Sequence, residues 1–155
     1  MNRPFRVFNR AVVSGSFASV ASTLALVLRG VRDCRSAIAP VNAVSHWIWK
    51  DKAIHQHKAS LRYSVVGYAI HHAASIFWAI AFEQLATRHK HNPMPGRTIG
   101  NAAAVAALAC VVDLRCTPER LTPGFERRLS NRSLAAVYVA FAVGLALHDL
   151  YSARK

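Results

Sequence analysis

The chain is 155 residues long, the size of one domain; 53% of it is hydrophobic and 17% charged, against about 25% charged in a typical soluble domain. Twenty Lys and Arg against seven Asp and Glu give a formal charge of +13, which in isolation would suggest nucleic acid. The basic residues avoid four apolar runs and collect between them, the distribution of membrane helices with charged flanks; this excludes nucleic acid and points to a bilayer with anionic headgroups.

The first apolar run, residues 11–28, is preceded by Arg3, Arg6 and Arg10 and is long enough to cross about 30 Å of hydrocarbon. Its basic start and apolar centre resemble a signal peptide, but Arg29 stands where a small-residue cleavage site belongs, so it reads as a retained anchor. Gly15, Ser19 and Thr23 repeat every fourth residue, as do Ser14, Ala18 and Ser22, making two small-residue faces for close packing on neighbouring helices.

Residues 36–49, "SAIAPVNAVSHWIW", are too few to cross. Pro40, Trp47 and Trp49 suggest an interfacial segment, with a re-entrant loop as the alternative. The second span, residues 63–82, is the strongest. Residues 88–97, with two prolines and a glycine, read as a loop. The third span, 98–114, is short and alanine-rich, and the fourth covers 133–150. Between these, Thr122 as N-cap, Pro123 as first helical residue and Glu126 in the first turn predict a short basic surface helix. The fold class expected is therefore all-α: an integral membrane four-helix bundle, one domain over 1–155, with both termini on one side. The connections after the first and third spans carry twelve of the twenty basic residues, so the positive-inside rule puts them in the cytoplasm and the termini outside.

Polar residues inside the second span mark where a site would be. On a wheel of about 100° per residue, Tyr68, His71, His72, Ser64, Ser75 and Glu83 share a sector of about 120°. Val66, Ile70, Ala73, Phe77 and Ile80 fill the opposite side. The polar stripe should face the bundle interior and the other side the lipid. Alternation of the spans places Glu83 with Arg10, His148 and Asp149 near one membrane face, and Asp113 near the other.

Three functions fit these residues. The first is structural or accessory, with histidines hydrogen-bonding between helices and the small-residue faces supporting an oligomer or a membrane partner. The second is a redox protein binding haem or a transition metal at His71 and His72, with His46, His55 and His57 as further imidazoles. The third is a small proton- or ion-coupled transporter using Glu83, His148 and Asp149. No HExxH, nucleophile-elbow or phosphate-loop pattern occurs, so no catalytic residue is assigned and an enzyme is not expected. Cys34, Cys110 and Cys116 form no CxxC and read as reduced thiols.

The stretches "APVNAVSHWIW", "GYAIHHAASIFWA" and "TPERLTPGFERRLS" together resemble small uncharacterised four-helix inner-membrane proteins of Gram-negative bacteria. That resemblance, over residues 36–150, implies the bacterial inner (plasma) membrane as location and carries no activity.

Overall fold

The computed structural model describes residues 2–88 and 94–152. These residues are helical with no strand, in the order α1 (Arg3–Cys34), α2 (Ala39–Val44), α3 (His46–Trp49), α4 (Asp51–Ile54), α5 (Val66–Arg88), α6 (Pro95–Val111) and α7 (Asn131–Ser152). A π-helical turn at Leu61–Val65 leads into α5 and another at Val112–Cys116 ends α6. Four helices are long and apolar enough to cross a membrane: Pro4–Cys34, Leu61–Thr87, Pro95–Cys116 and Asn131–Tyr151. Each contains the corresponding run expected from the sequence and extends past it. Residues 89–93 of the expected loop lie outside the described residues; Pro95 already opens α6, where its missing N–H costs no helical hydrogen bond.

The long helices form an up-and-down bundle in which α1 packs along both α5 and α7, and α6 leans on α7 more than on α5. Small residues set these distances. A Cβ on Gly144 would stand 2.4 Å from the Ala18 Cα, so α7 and α1 touch backbone to backbone there. Gly15 lies likewise against Ile76 and Ala79 of α5. The two small-residue faces expected on the first span are therefore covered within the one chain, Ser14, Ala18, Ser19 and Ser22 all being buried. They are not free to receive a second copy.

The segment after α1 does not lie on the surface. All of α2 is buried, as are Ser45 and His46, because the chain folds back between the ends of α1 and α5. Gly67 makes room for it: a Cβ there would be 2.1 Å from the Val41 carbonyl oxygen. Asn42 holds the returning limb of this loop, its amide donating to the carbonyls of Gln56 and Lys58 at 3.1 and 3.0 Å. Its own carbonyl accepts the Ser64 hydroxyl at 2.7 Å. Trp47 is half-buried and donates its indole N–H to the Thr122 carbonyl at 2.8 Å. Trp49 meets Tyr63 edge to face with the Arg62 guanidinium over its ring. The segment expected to be interfacial or re-entrant thus packs inward against the bundle, with its indoles recruited into contacts between loops.

The connection from α6 to α7 also departs from expectation. Thr122 caps no helix; it closes a 3-10 turn at Glu119–Leu121, and a second such turn spans Phe125–Arg127. Gly124, at φ +85°, turns the chain so that Phe125 and Leu129 drop into the bundle end beside Leu26, Val41, Leu134 and Val137. An L side chain at that angle would be strained, and a regular helix would leave Phe125 outside. Both basic connections thus meet at one end of the molecule, tied by the Trp47 hydrogen bond and by Arg127 between Asp51 and Glu119.

Candidate functional site

The stripe on α5 turns inward as the wheel requires. Ser75 and Glu83 are buried, while Ser64, Tyr68, His71 and His72 are half-buried at helix contacts. Phe77 and Ala73 face outward. Val66, Ile70 and Ile80, expected outside, are half-buried: Ile80 packs on the Phe82 cluster and Ile70 on the Phe125 cluster, because α2 and α6 cover both flanks of α5.

His71 and His72 meet different neighbours. His71 Nε2 lies 2.8 Å from Ser22 Oγ on α1, and its ring stands edge-on to Phe125. His72 lies tilted against Tyr68, and its buried Nδ1 has no hydrogen-bond partner among the described residues. The pair therefore does not converge, and neither is joined by a third metal-ligating side chain among the described residues. The remaining imidazoles are also apart. His46 is buried against the Ala43 carbonyl, His55 lies on the Asp51 carbonyl, and His57 accepts from Arg128 at 3.0 Å.

At the opposite end the expected polar cluster assembles. Arg10 of α1 donates through Nε to Glu83 Oε2 of α5 at 2.7 Å and pairs through its second nitrogen with Asp149 of α7. His148 Nδ1 is 3.3 Å from Asp149 Oδ1. Ligand atoms of Glu83, His148 and Asp149 lie within 4.8 Å of one another, and the Glu83 side chain is fully buried. One guanidinium faces two carboxylates, which leaves one negative charge uncompensated when both are ionised. Glu83 Oε1 and His148 Nδ1 are buried without a hydrogen-bond partner among the described residues.

Asp113 keeps to the other end, as alternation demands. Its Oδ2 accepts the Tyr138 hydroxyl at 3.1 Å. The carboxylate belongs to the π-helical turn Val112–Cys116, a distortion found frequently at functional sites, here closed by Thr117, whose N–H and hydroxyl both donate to the Val112 carbonyl. The sequence signal for Asn42 is weaker, an asparagine amid apolar residues two positions after Pro40, where a buried turn needs side-chain hydrogen bonds.

The outer face of α6 is the other feature the sequence concealed. A Cβ added to Gly96 or Gly100 would meet nothing within 4 Å among the described residues, whereas the other glycines of the chain all lie against neighbouring backbone. With Ala103, Ala104 and Ala107, all exposed, they occupy a sector of about 100° on the helix wheel. No protein-family model, curated protein or solved structure matches this chain.

Proposed function

We propose that this chain is a multi-pass protein of the bacterial inner membrane with a structural or accessory role, exerted by helix association through α6 rather than by catalysis. The observation that carries this reading is the open Gly96–Gly100 pair. Inside lipid, helices associate by close van der Waals contact rather than by hydrophobic transfer, and small residues four apart permit it. Here every other glycine is spent within the bundle, while the G-x-x-x-G face of α6, continued by Ala104, points outward. Such a face is self-complementary, so a second copy related by two-fold symmetry is the simplest occupant.

Two features support insertion. Four helices have the required length and hydropathy, and exposed Phe17, Leu24, Leu28, Phe77 and Val139 line their outer sides. The basic connections share one end, which the positive-inside rule assigns to the cytoplasm, where anionic headgroups meet them. Native mass spectrometry from nanodiscs tests the association: wild type is expected as a dimer and Gly100→Ile as a monomer. Monomeric wild type removes the reading.

A second reading, proton or ion handling, is favoured by one observation. Glu83 Oε1 is buried with no hydrogen-bond partner among the described residues, and it lies beside Asp149 and the His148 Nδ1 that faces Asp149 at 3.3 Å, in a cluster whose two carboxylates share one guanidinium. A proton or small cation would balance it. Uptake by proteoliposomes of protons or of sodium ions, compared between wild type and Glu83→Gln, tests this reading; equal traces for the two proteins dismiss it.

A further inference from the structure

A cavity of about 500 Å³ opens on the flank of the bundle, between α5, the end of α6, α7 and the turn at Leu121–Phe125. Its rim includes Ala73, Phe77 and Leu121, which are exposed side chains, so its mouth is lateral rather than at a helix end. If the bundle spans a bilayer, that mouth faces the acyl chains. The volume is that of a small-molecule site, and the wall is mostly apolar, its polar groups being Asp113 with Tyr138, His71 with Ser22, the hydroxyls of Ser75 and Thr117, and the indoles of Trp47 and Trp78.

The chemistry of those groups selects a ligand. His71 Nε2 is engaged with Ser22 Oγ at 2.8 Å, and that hydroxyl also lies 2.7 Å from the Ala18 carbonyl, so this pair is satisfied within the protein and Asp113 is the group that selects. Asp113 accepts from the Tyr138 hydroxyl at 3.1 Å and is hydrogen-bonded by the Trp78 side chain, and an ionised carboxylate, with about four lone-pair sites, has capacity for more. The polar end of the cavity therefore presents the Asp113 carboxylate as an acceptor. Among the described residues no Lys or Arg lines it, so no cation of theirs would compensate a phosphate or carboxylate headgroup, and an ionised Asp113 would repel one.

We infer that this cavity is a lateral binding site for a neutral lipophilic molecule whose polar end donates hydrogen bonds, a long-chain alcohol or a quinol-type ring, with its hydroxyl on Asp113 and its chain leaving past Phe77. The inference rests on membrane insertion but not on association through α6. Trp47 and Trp78 line the cavity and report on it directly.

The test is quenching of tryptophan fluorescence in nanodiscs by 12-bromododecanol and, at a pH where it is ionised, 12-bromododecanoic acid. Expected are saturable quenching by the alcohol, at least about tenfold weaker apparent binding of the acid, and about tenfold weaker alcohol binding in Asp113→Ala, the scale of one hydrogen bond to a charged acceptor. Ala74→Phe, which fills the cavity, should leave only the quenching that rises linearly with probe in the bilayer. Linear quenching in wild type, or equal binding of alcohol and acid, overturns the inference. The comparison of the two probes on wild type needs no variant, so the result stands even if Ala74→Phe fails to fold.

Discussion

Arg10 and Glu83, 73 residues apart in sequence, meet at 2.7 Å with the carboxylate fully buried and Asp149 on the guanidinium's other side. One arginine thereby fastens α1 to α5 and α7 at the end opposite the loops. Removing one partner of a fully buried pair strands the other charge at a cost of about 3–5 kcal/mol; here the guanidinium is 37% exposed, so water offsets part of it and the cost is nearer the bottom of that range or below it. Arg10→Met is therefore expected to lower stability by that order in detergent–SDS unfolding titrations. Arg10→Met/Glu83→Met should recover part of the loss, since the stranded carboxylate is gone with the cation.

The glycines divide into those used and those open, and they should respond oppositely to enlargement. Gly144→Val places a methine carbon against the Ala18 backbone, where a Cβ has only 2.4 Å, and overpacking of this kind costs about 1–3 kcal/mol. Gly100→Val meets open space and should leave the unfolding midpoint of the monomer in place while weakening self-association. The same SDS titration, run beside a mass measurement, separates the two effects.

Asn42 makes three side-chain hydrogen bonds that hold the inward loop to the start of α5. Asn42→Ala leaves the Gln56 and Lys58 carbonyls and the Ser64 hydroxyl to find other partners, at about 1–3 kcal/mol. Limited proteolysis is the sensitive readout: cleavage after Lys58 should accelerate by about tenfold or more in the variant while cuts elsewhere keep their rates.

The adjacent histidines should be unequal. His71→Phe removes the hydrogen bond with Ser22 and is expected to cost about 1 kcal/mol. His72→Phe removes a buried ring nitrogen that has no partner among the described residues and is expected to be neutral or stabilising, because an unsatisfied buried acceptor disappears. Thermal unfolding of the two single variants in the same detergent decides this ordering.

Sidedness follows from Cys116, exposed at the end where the basic connections meet. In a variant retaining only that thiol, a membrane-impermeant maleimide should label inverted inner-membrane vesicles and spare intact spheroplasts. The reverse pattern would place the basic end outside.

The four long apolar helices and the polar stripe of α5 were legible in the sequence because both depend on local quantities, hydropathy over about twenty residues and the helical period. The joining of Glu83, His148, Asp149 and Arg10 followed from strict alternation of four spans. What escaped was whatever depends on tertiary fit. Residues 36–49 have an interfacial composition, yet Gly67 and Asn42 supply the space and hydrogen bonds that draw the loop inward. Thr122 and Pro123 spell a helix start, and Gly124 at φ +85° overrides them. The glycines and alanines of α6 resemble those of α1 in composition; only the packing shows that one set is covered and the other open.

Disulfide scanning along α6 in native membranes addresses the proposed association most directly. With Cys34, Cys110 and Cys116 replaced, single cysteines are introduced from position 96 to 108 and oxidised with copper phenanthroline. Dimers should peak at 96, 100, 103, 104 and 107 and fall away at the buried positions 102, 105 and 106. Cross-linking without that helical period, or none at any position, would contradict the account.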